Sequence, residues 1–250
     1  MVGLVSGLGG ARGFGEGILT RNDDGSTGAL DLTGVFENGI DLFGTTYTSF
    51  FVNNNGSVTF EGPRGTFTPD VITGVSNNPE ITPFFADIDT RMSMIGPAQP
   101  ASLTPTPGGN STGSNLVWYD FDTANDRIVV TWDDVGFYFQ DTTKLNAFQL
   151  ILIDEGEGDF DIEFRYEDVN WTTGDASGGT DGLGGTVARA GWTAGTGEAG
   201  EFFELPASGD QAAVLALDET AGNTGQAGRW FFAVRDGAVV DAAIPPGPAA

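Results

Sequence analysis

The stretch Asp159-Phe160-Asp161-Ile162-Glu163-Phe164-Arg165-Tyr166 decides the fold class. On an extended chain Phe160, Ile162, Phe164 and Tyr166 point one way while Asp161, Glu163 and Arg165 point the other, because side chains alternate across a strand. A helix would spread the same four apolar groups around its circumference. The alternation is that of an antiparallel strand with one face in a core and one in water. Just upstream, Asp154-Glu155-Gly156-Glu157-Gly158 supplies turn residues, and 147–153 is a β-rich apolar run, so the two segments predict a hairpin.

The same grammar runs outward in both directions. Strands are expected over 116–121, 128–139 with a bend at Gly136, 186–193, 202–205 and 230–235. Residues 47–52 and 57–60 flank Asn53-Asn54-Asn55-Gly56, where Asn-Gly suits the positive φ angles of a type I′ turn. The run 81–89 carries Pro83 and follows Pro79, which predicts an edge or entry strand rather than a central one. Residues 213–217 read as a strand or, within 211–220, as a helical turn or two. No repeat period of solenoid or propeller size is present. The expected fold is therefore all-β, a twisted antiparallel β-sandwich with long Gly/Asp-rich loops. Its expected organisation is a Gly/Asp-rich lead-in over 1–30, packed on or preceding the domain, a sandwich over 31–237 and a Pro-rich linker over 238–250. Residues 92–114, rich in Pro, Gly, Ser and Thr, are expected to form an exposed loop inside the sandwich.

Composition removes several function classes. The 250 residues hold 35 acidic and 10 basic side chains, a formal charge of −25, with no Cys and no His. Disulfide frameworks, zinc fingers, iron–sulfur clusters, cysteine nucleophiles and histidine-based triads all lack their essential groups. One lysine, Lys144, leaves little for Schiff-base chemistry. The negative surface repels nucleic acid, whose binding rests on Lys and Arg at phosphates, and equally repels anionic bilayers. No apolar run is long enough to span a membrane, and the first residues lack the pattern of a signal peptide. Abundant Asp, Thr, Asn and Gly with little Lys suggests a secreted prokaryotic surface protein.

The order of motifs then becomes informative. YTSFFVNNNGSVTF (47–60), PEITPFFADIDTR (79–91), VVTWDDVGFY (129–138), NAFQLILID (146–154), VNWTTG (169–174), ARAGW (188–192) and GNTGQAGRWFF (222–232) follow one another as the blocks of one family do. Together they resemble the NIDO, or nidogen-like, extracellular domain across residues 42–234. Two features depart from its pattern: the long 92–114 segment, and the lack of a Cys-rich neighbour. The resemblance implies an extracellular adhesion or assembly module without an established catalytic site, with an extracellular protein or glycan as partner.

Three constellations carry chemistry. Asp87-Ile88-Asp89 places two carboxylates on one face of a strand, the start of a Ca²⁺ site that loop carbonyls, Thr90 or the distant Asp23-Asp24 turn would complete. The plain alternative pairs Asp89 with Arg91 or uses it as a turn cap. The row Asp159, Asp161, Glu163 resembles the acidic strand of laminarinase-like jelly-roll glycoside hydrolases, with Asp159 as nucleophile, Glu163 as acid and Asp161 between them. Its alternative is a solvated polar face. Among five tryptophans, Trp132, Trp192 and Trp230 belong to core-like strands, whereas Trp171 lies in a polar loop and is the candidate ligand-binding aromatic. Three Asn-x-Ser/Thr sequons, at Asn55, Asn110 and Asn170, read as coincidental. A structural subunit of a self-associating surface filament is the remaining rival, through unpaired edge strands.

Overall fold

The computed structural model describes residues 2–76, 78–92 and 106–240. In chain order its first strands are β1 (Gly17–Leu19), β2 (Leu30–Asp31), β3 (Ile40–Leu42), β4 (Thr45–Tyr47), β5 (Ser49–Asn53), β6 (Ser57–Thr59) and β7 (Glu80–Phe85). Four long strands follow: β8 (Leu116–Asp122), β9 (Arg127–Phe137), β10 (Asp141–Gly156) and β11 (Asp159–Val169). After β12 (Arg189–Thr193), β13 (Phe202–Glu204) and the helix α1 (Gln211–Leu215), the described chain closes with β14 (Arg229–Arg235) and β15 (Ala238–Val240).

Two antiparallel sheets form the sandwich. The larger runs β1-β8-β9-β10-β11-β14-β15, the smaller β13-β12-β7-β6-β5-β2, and β3-β4 is a separate hairpin. The apolar side of β11, Phe160 to Tyr166, enters the shared core with Ile128, Val130 and Trp132 of β9 and Phe148, Leu150 and Leu152 of β10. Phe84 of β7 meets them from the opposite sheet, its ring 5.2 Å from Phe148. The Tyr166 hydroxyl crosses the core and donates to the carbonyl of Pro83 at 2.6 Å, giving a fully buried phenol its partner.

The strand carrying Pro83 lies inside its sheet, between β12 and β6, and not at the edge. Proline is tolerated because neither neighbour asks for its missing N–H. Pairing with β6 covers only Ile81 and Glu80, and the β12 ladder shifts register between Arg189 and Gly191, opposite Pro83. The 53–56 turn also differs from expectation. Asn53 pairs with Ser57, so the loop has three residues, and of these Gly56 alone has a positive φ, +83°. A Cβ there would lie 1.7 Å from the Phe84 carbonyl oxygen, so the hairpin tip is pressed against β7. In the 211–220 stretch the helical alternative holds, with Asp210 capping the Ala213 N–H at 3.0 Å.

The larger sheet is covered on its outer face as well. Residues 2–16 lie across it, and Leu4 and Phe14 join Leu116, Trp118 and Ala147 in a second buried cluster. The Gln149 side chain accepts from Val5 N at 2.7 Å and donates to Val5 O at 2.8 Å, as a neighbouring strand would. β1 adds the edge strand beside β8. The lead-in is thus a third layer of the domain. Residues 106–114 are only partly the exposed loop expected of them: Pro107, Gly108 and Asn110 are exposed, whereas Thr106, Ser111 and Ser114 are buried. Residues 93–105 of that expected loop lie outside the described residues. At the other end Ala238–Val240 pairs with β14, so the boundary expected at 238 falls within a strand, and 241–250 lie outside the described residues.

Phe14 tests the third layer. Removing a fully buried Phe ring typically costs about 3–5 kcal/mol. In a domain this large Phe14→Ala should lower the melting temperature by about 10 °C. A dispensable, tethered lead-in would leave the melting curve unchanged.

Candidate functional site

One end of the sandwich gathers carboxylates from three segments. After β7 the chain passes through Asp87 and Asp89, both essentially buried, at 1% and 0% exposure. They do not share a site. Asp89 is engaged on both oxygens: Arg91 donates through N at 3.0 Å and Nε at 2.9 Å to Oδ1, and the Gln140 N–H donates to Oδ2 at 2.9 Å. The strand ends at Phe85, so alternation no longer aims the two side chains together. The expected Asp87–Asp89 pair is therefore corrected, and the plain alternative, Asp89 with Arg91, describes Asp89.

Asp87 instead faces the 22–25 turn, where Asp23, Asp24 and Asp87 each bring a carboxylate oxygen within 4.8 Å of the others. The turn is built by its asparagines: Asn22 Oδ1 accepts from Gly25 N at 2.6 Å. Asn54 and Asn55, at the hairpin tip, donate to Asp23 O at 2.5 Å and Asp24 Oδ1 at 2.9 Å. Burial and then the neighbouring Asp23 and Asp24 push the Asp87 carboxyl up to about 7. Burial and then Asp89 raise Asp23 to about 6. Arg21 fastens the adjoining loops, donating to the carbonyls of Thr90, Met92, Asn115 and Ser114 at 2.8–2.9 Å.

Trp171 is not a ligand-binding face. It is fully buried, its indole N–H donates to Val135 O at 3.0 Å, and its ring sits against Phe84 and Phe137. Its polar surroundings in sequence mislead because the segment 171–174 is buried, with Asn146 accepting from the backbone of both Asn170 and Trp171. The exposed aromatic at this end of the molecule is Phe139, at 63% exposure, with Met92 at 41% and the Arg91 guanidinium 6.0 Å from the Phe139 ring.

The acidic row on β11 is neither a solvated face nor an open pair of carboxyls. Glu163 is 3% exposed and clasped by Arg165 Nε at 2.5 Å and Arg229 at 2.7 Å. Asp161 pairs with Arg235 at 2.8 Å, and Asp159 accepts from the Asp236 N–H at 2.7 Å, closing the β14–β15 turn.

A second acid cluster went unrecognised in the sequence. Asp133, Asp134 and Glu167 point from the outer face of the large sheet at the Asn110–Ser114 backbone. Glu167 accepts from the N–H groups of Asn110 and Ser111 at 2.7 and 2.9 Å. Asp133 takes Thr112 N at 2.7 Å and Ser114 N at 3.3 Å, and Asp134 takes Gly113 N at 2.6 Å. Five consecutive backbone donors are thus satisfied by three carboxylates. Burial, and next the Asp133 charge, raise Asp134 to about 7.

Fold and sites together define an all-β sandwich whose acids are largely engaged in holding its own loops. The nidogen-like domain model matches residues 48–236, and the chain belongs to that family. Alpha-tectorin of Mus musculus is 35% identical over 235 residues, covering 88% of this chain and 10% of alpha-tectorin. Nidogen of Drosophila melanogaster is 31% identical over 234 residues, covering 86% of the chain and 16% of nidogen. Dendrite extension defective protein 1 of Caenorhabditis elegans is 26% identical over 200 residues, 77% of the chain and 16% of that protein. The chain therefore spans only 10–16% of the length of these relatives. No solved structure matches. Membership of this family makes the chain an extracellular module. Among the described residues no helix is long and apolar enough to cross a membrane.

Two outcomes follow from the buried acids. Glu163→Gln strips the charge from a carboxylate between two arginines and should destabilise the domain by about 3 kcal/mol in chemical denaturation; no loss would show that the clasp is unimportant. Asp134 keeps its proton to about pH 7 when folded, against about 3.9 when unfolded. The folded state therefore binds the extra proton, and stability falls as pH climbs from about 4 to about 7. Asp134→Asn should make that fall shallower, read from denaturant midpoints at pH 5 and 7.5, while an unchanged slope would contradict the assignment.

Proposed function

We propose that this chain is a non-enzymatic extracellular adhesion or assembly module. Its contact surface is the loop rim of residues 22–25, 90–92 and 138–140, presented to a protein or glycan partner. The observation that carries the reading is the setting of Phe139. A large aromatic stands 63% exposed on a loop whose neighbours are fixed from below, Tyr138 N to Asp87 O at 3.0 Å and Gln140 N to Asp89 Oδ2 at 2.9 Å. A rigid exposed aromatic ringed by charge loses little freedom on docking, which is the character of a binding anchor. The non-enzymatic part is supported by β11, where Asp161 and Glu163 already hold arginine partners. The net charge of −25 favours a basic partner or one joined through a cation.

The test is an array of matrix proteins and glycans probed with the whole chain and with Phe139→Ala. The variant should lose its hits while melting as the parent does, and binding by the parent should weaken as salt rises from low to physiological. Full retention of binding by Phe139→Ala would place the contact elsewhere. Release of new reducing ends from β-glucans would overturn the non-enzymatic reading altogether.

A further inference from the structure

Presentation of Phe139 to a partner does not account for the convergence of Asp23, Asp24 and Asp87. These three carboxylates come from two distant parts of the chain and converge within 4.8 Å. Asp87 is 1% exposed, and its Oδ2 has no hydrogen-bond partner; neither does the buried Oδ1 of Asp23. Unpartnered carboxylate oxygens turned inward are expensive to bury. Arg91 reaches Asp23 Oδ2 at 3.1 Å and otherwise belongs to Asp89, so among the described residues Asp24 and Asp87 have no cationic side chain in ion-pair contact.

We propose that Asp23, Asp24 and Asp87 bind one Ca²⁺ ion, which clips the lead-in turn to the end of β7 and to the loop at Gly174. The donor set is all oxygen, suited to a hard cation and not to zinc or copper, which favour the His and Cys this chain lacks. Three carboxylates from an irregular turn and a strand end suit the flexible shell of about 6–8 oxygens that Ca²⁺ takes, whereas Mg²⁺ demands near-ideal octahedral geometry and keeps most of its waters. Asp24 is exposed, leaving one side of the site open to water ligands. Asp89 is excluded as a ligand because Arg91 and Gln140 engage both of its oxygens. The site is also crowded in the right place. A Cβ on Gly174 would meet the Asp87 carboxylate at 2.6–2.7 Å, so only glycine lets the 172–174 segment close over it.

The experiment is calorimetric titration of the chelator-treated chain with CaCl₂, alongside melting curves in Ca²⁺, Mg²⁺ and chelator. One Ca²⁺ per chain should bind, and at a hundredfold excess over Kd the melting temperature should rise by about 5 °C or more. Asp87→Asn, which keeps shape and loses charge, should melt at or above the parent in chelator yet show no Ca²⁺ response. That combination separates a lost site from a lost fold. Absence of binding by the parent, an equal response to Mg²⁺, or a full Ca²⁺ shift in Asp87→Asn would each overturn the assignment. The binding array with Phe139→Ala tests the contact surface separately, so failure of the cation site and failure of that surface are distinguishable.

Discussion

The large sheet is buried on both faces, and most of this structure follows from that. An antiparallel sheet of this kind ordinarily leaves its second face to water, where acidic side chains need nothing from the protein. Here residues 2–16 and 106–115 lie on that face, so the carboxylates buried beneath them must find partners within the fold. Asp133, Asp134 and Glu167 find it in five backbone N–H groups, and Glu163 in two arginines. The arrangement is reciprocal. The Asn110–Ser114 segment has no strand to bond with, and without the three acids its own donors would be left unsatisfied.

That economy of partners also sorts the acids by chemistry. Where a guanidinium or an amide meets the carboxylate, the group holds structure together. Where neither does, as at Asp87 Oδ2 and Asp23 Oδ1, the protein must either keep a proton or recruit a cation from solution. Asp87 and Asp89 are two residues apart and equally buried, yet they fall into opposite categories. The difference is Arg91, whose side chain folds back onto Asp89 and leaves Asp87 to the 22–25 turn.

Period-two patterning made the core face of β11 legible, together with the order of blocks that marks the family and the hairpins around 53–56 and 154–158. It could not reveal the third layer, because a polar residue on the outer face reads as solvent-facing whether or not another segment covers it. The same blindness made Trp171 look like a surface aromatic. Its neighbours Thr172 and Thr173 are polar, but both are buried, their N–H groups held by the Gly182 carbonyl. Pro83 was misread for a different reason. A proline forbids one ladder bond, not a position in the sheet, and the register shift in the β7–β12 ladder, where β7 carries the extra residue, removes the need for that bond. The Asp23–Asp24 turn was visible as a turn, and its approach to Asp87 depends on Asn54 and Asn55, whose side chains no local pattern directs toward it.

The acid cluster and the exposed aromatic are mechanically connected. Phe139 sits between two residues whose backbone N–H groups are held by the two aspartates: Tyr138 by the carbonyl of Asp87, Gln140 by the carboxylate of Asp89. Any group that fixes the Asp87 side chain also stiffens the backbone from which Tyr138 hangs. Asp23 and Asp89 share Arg91, whose guanidinium lies 6.0 Å from the Phe139 ring, so charge rearranged in the cluster is felt at the rim. Ordering a binding loop before its partner arrives removes part of the entropy lost on docking. A cation at this end of the sandwich would thus act on recognition without touching the partner, by setting how firmly the rim is held.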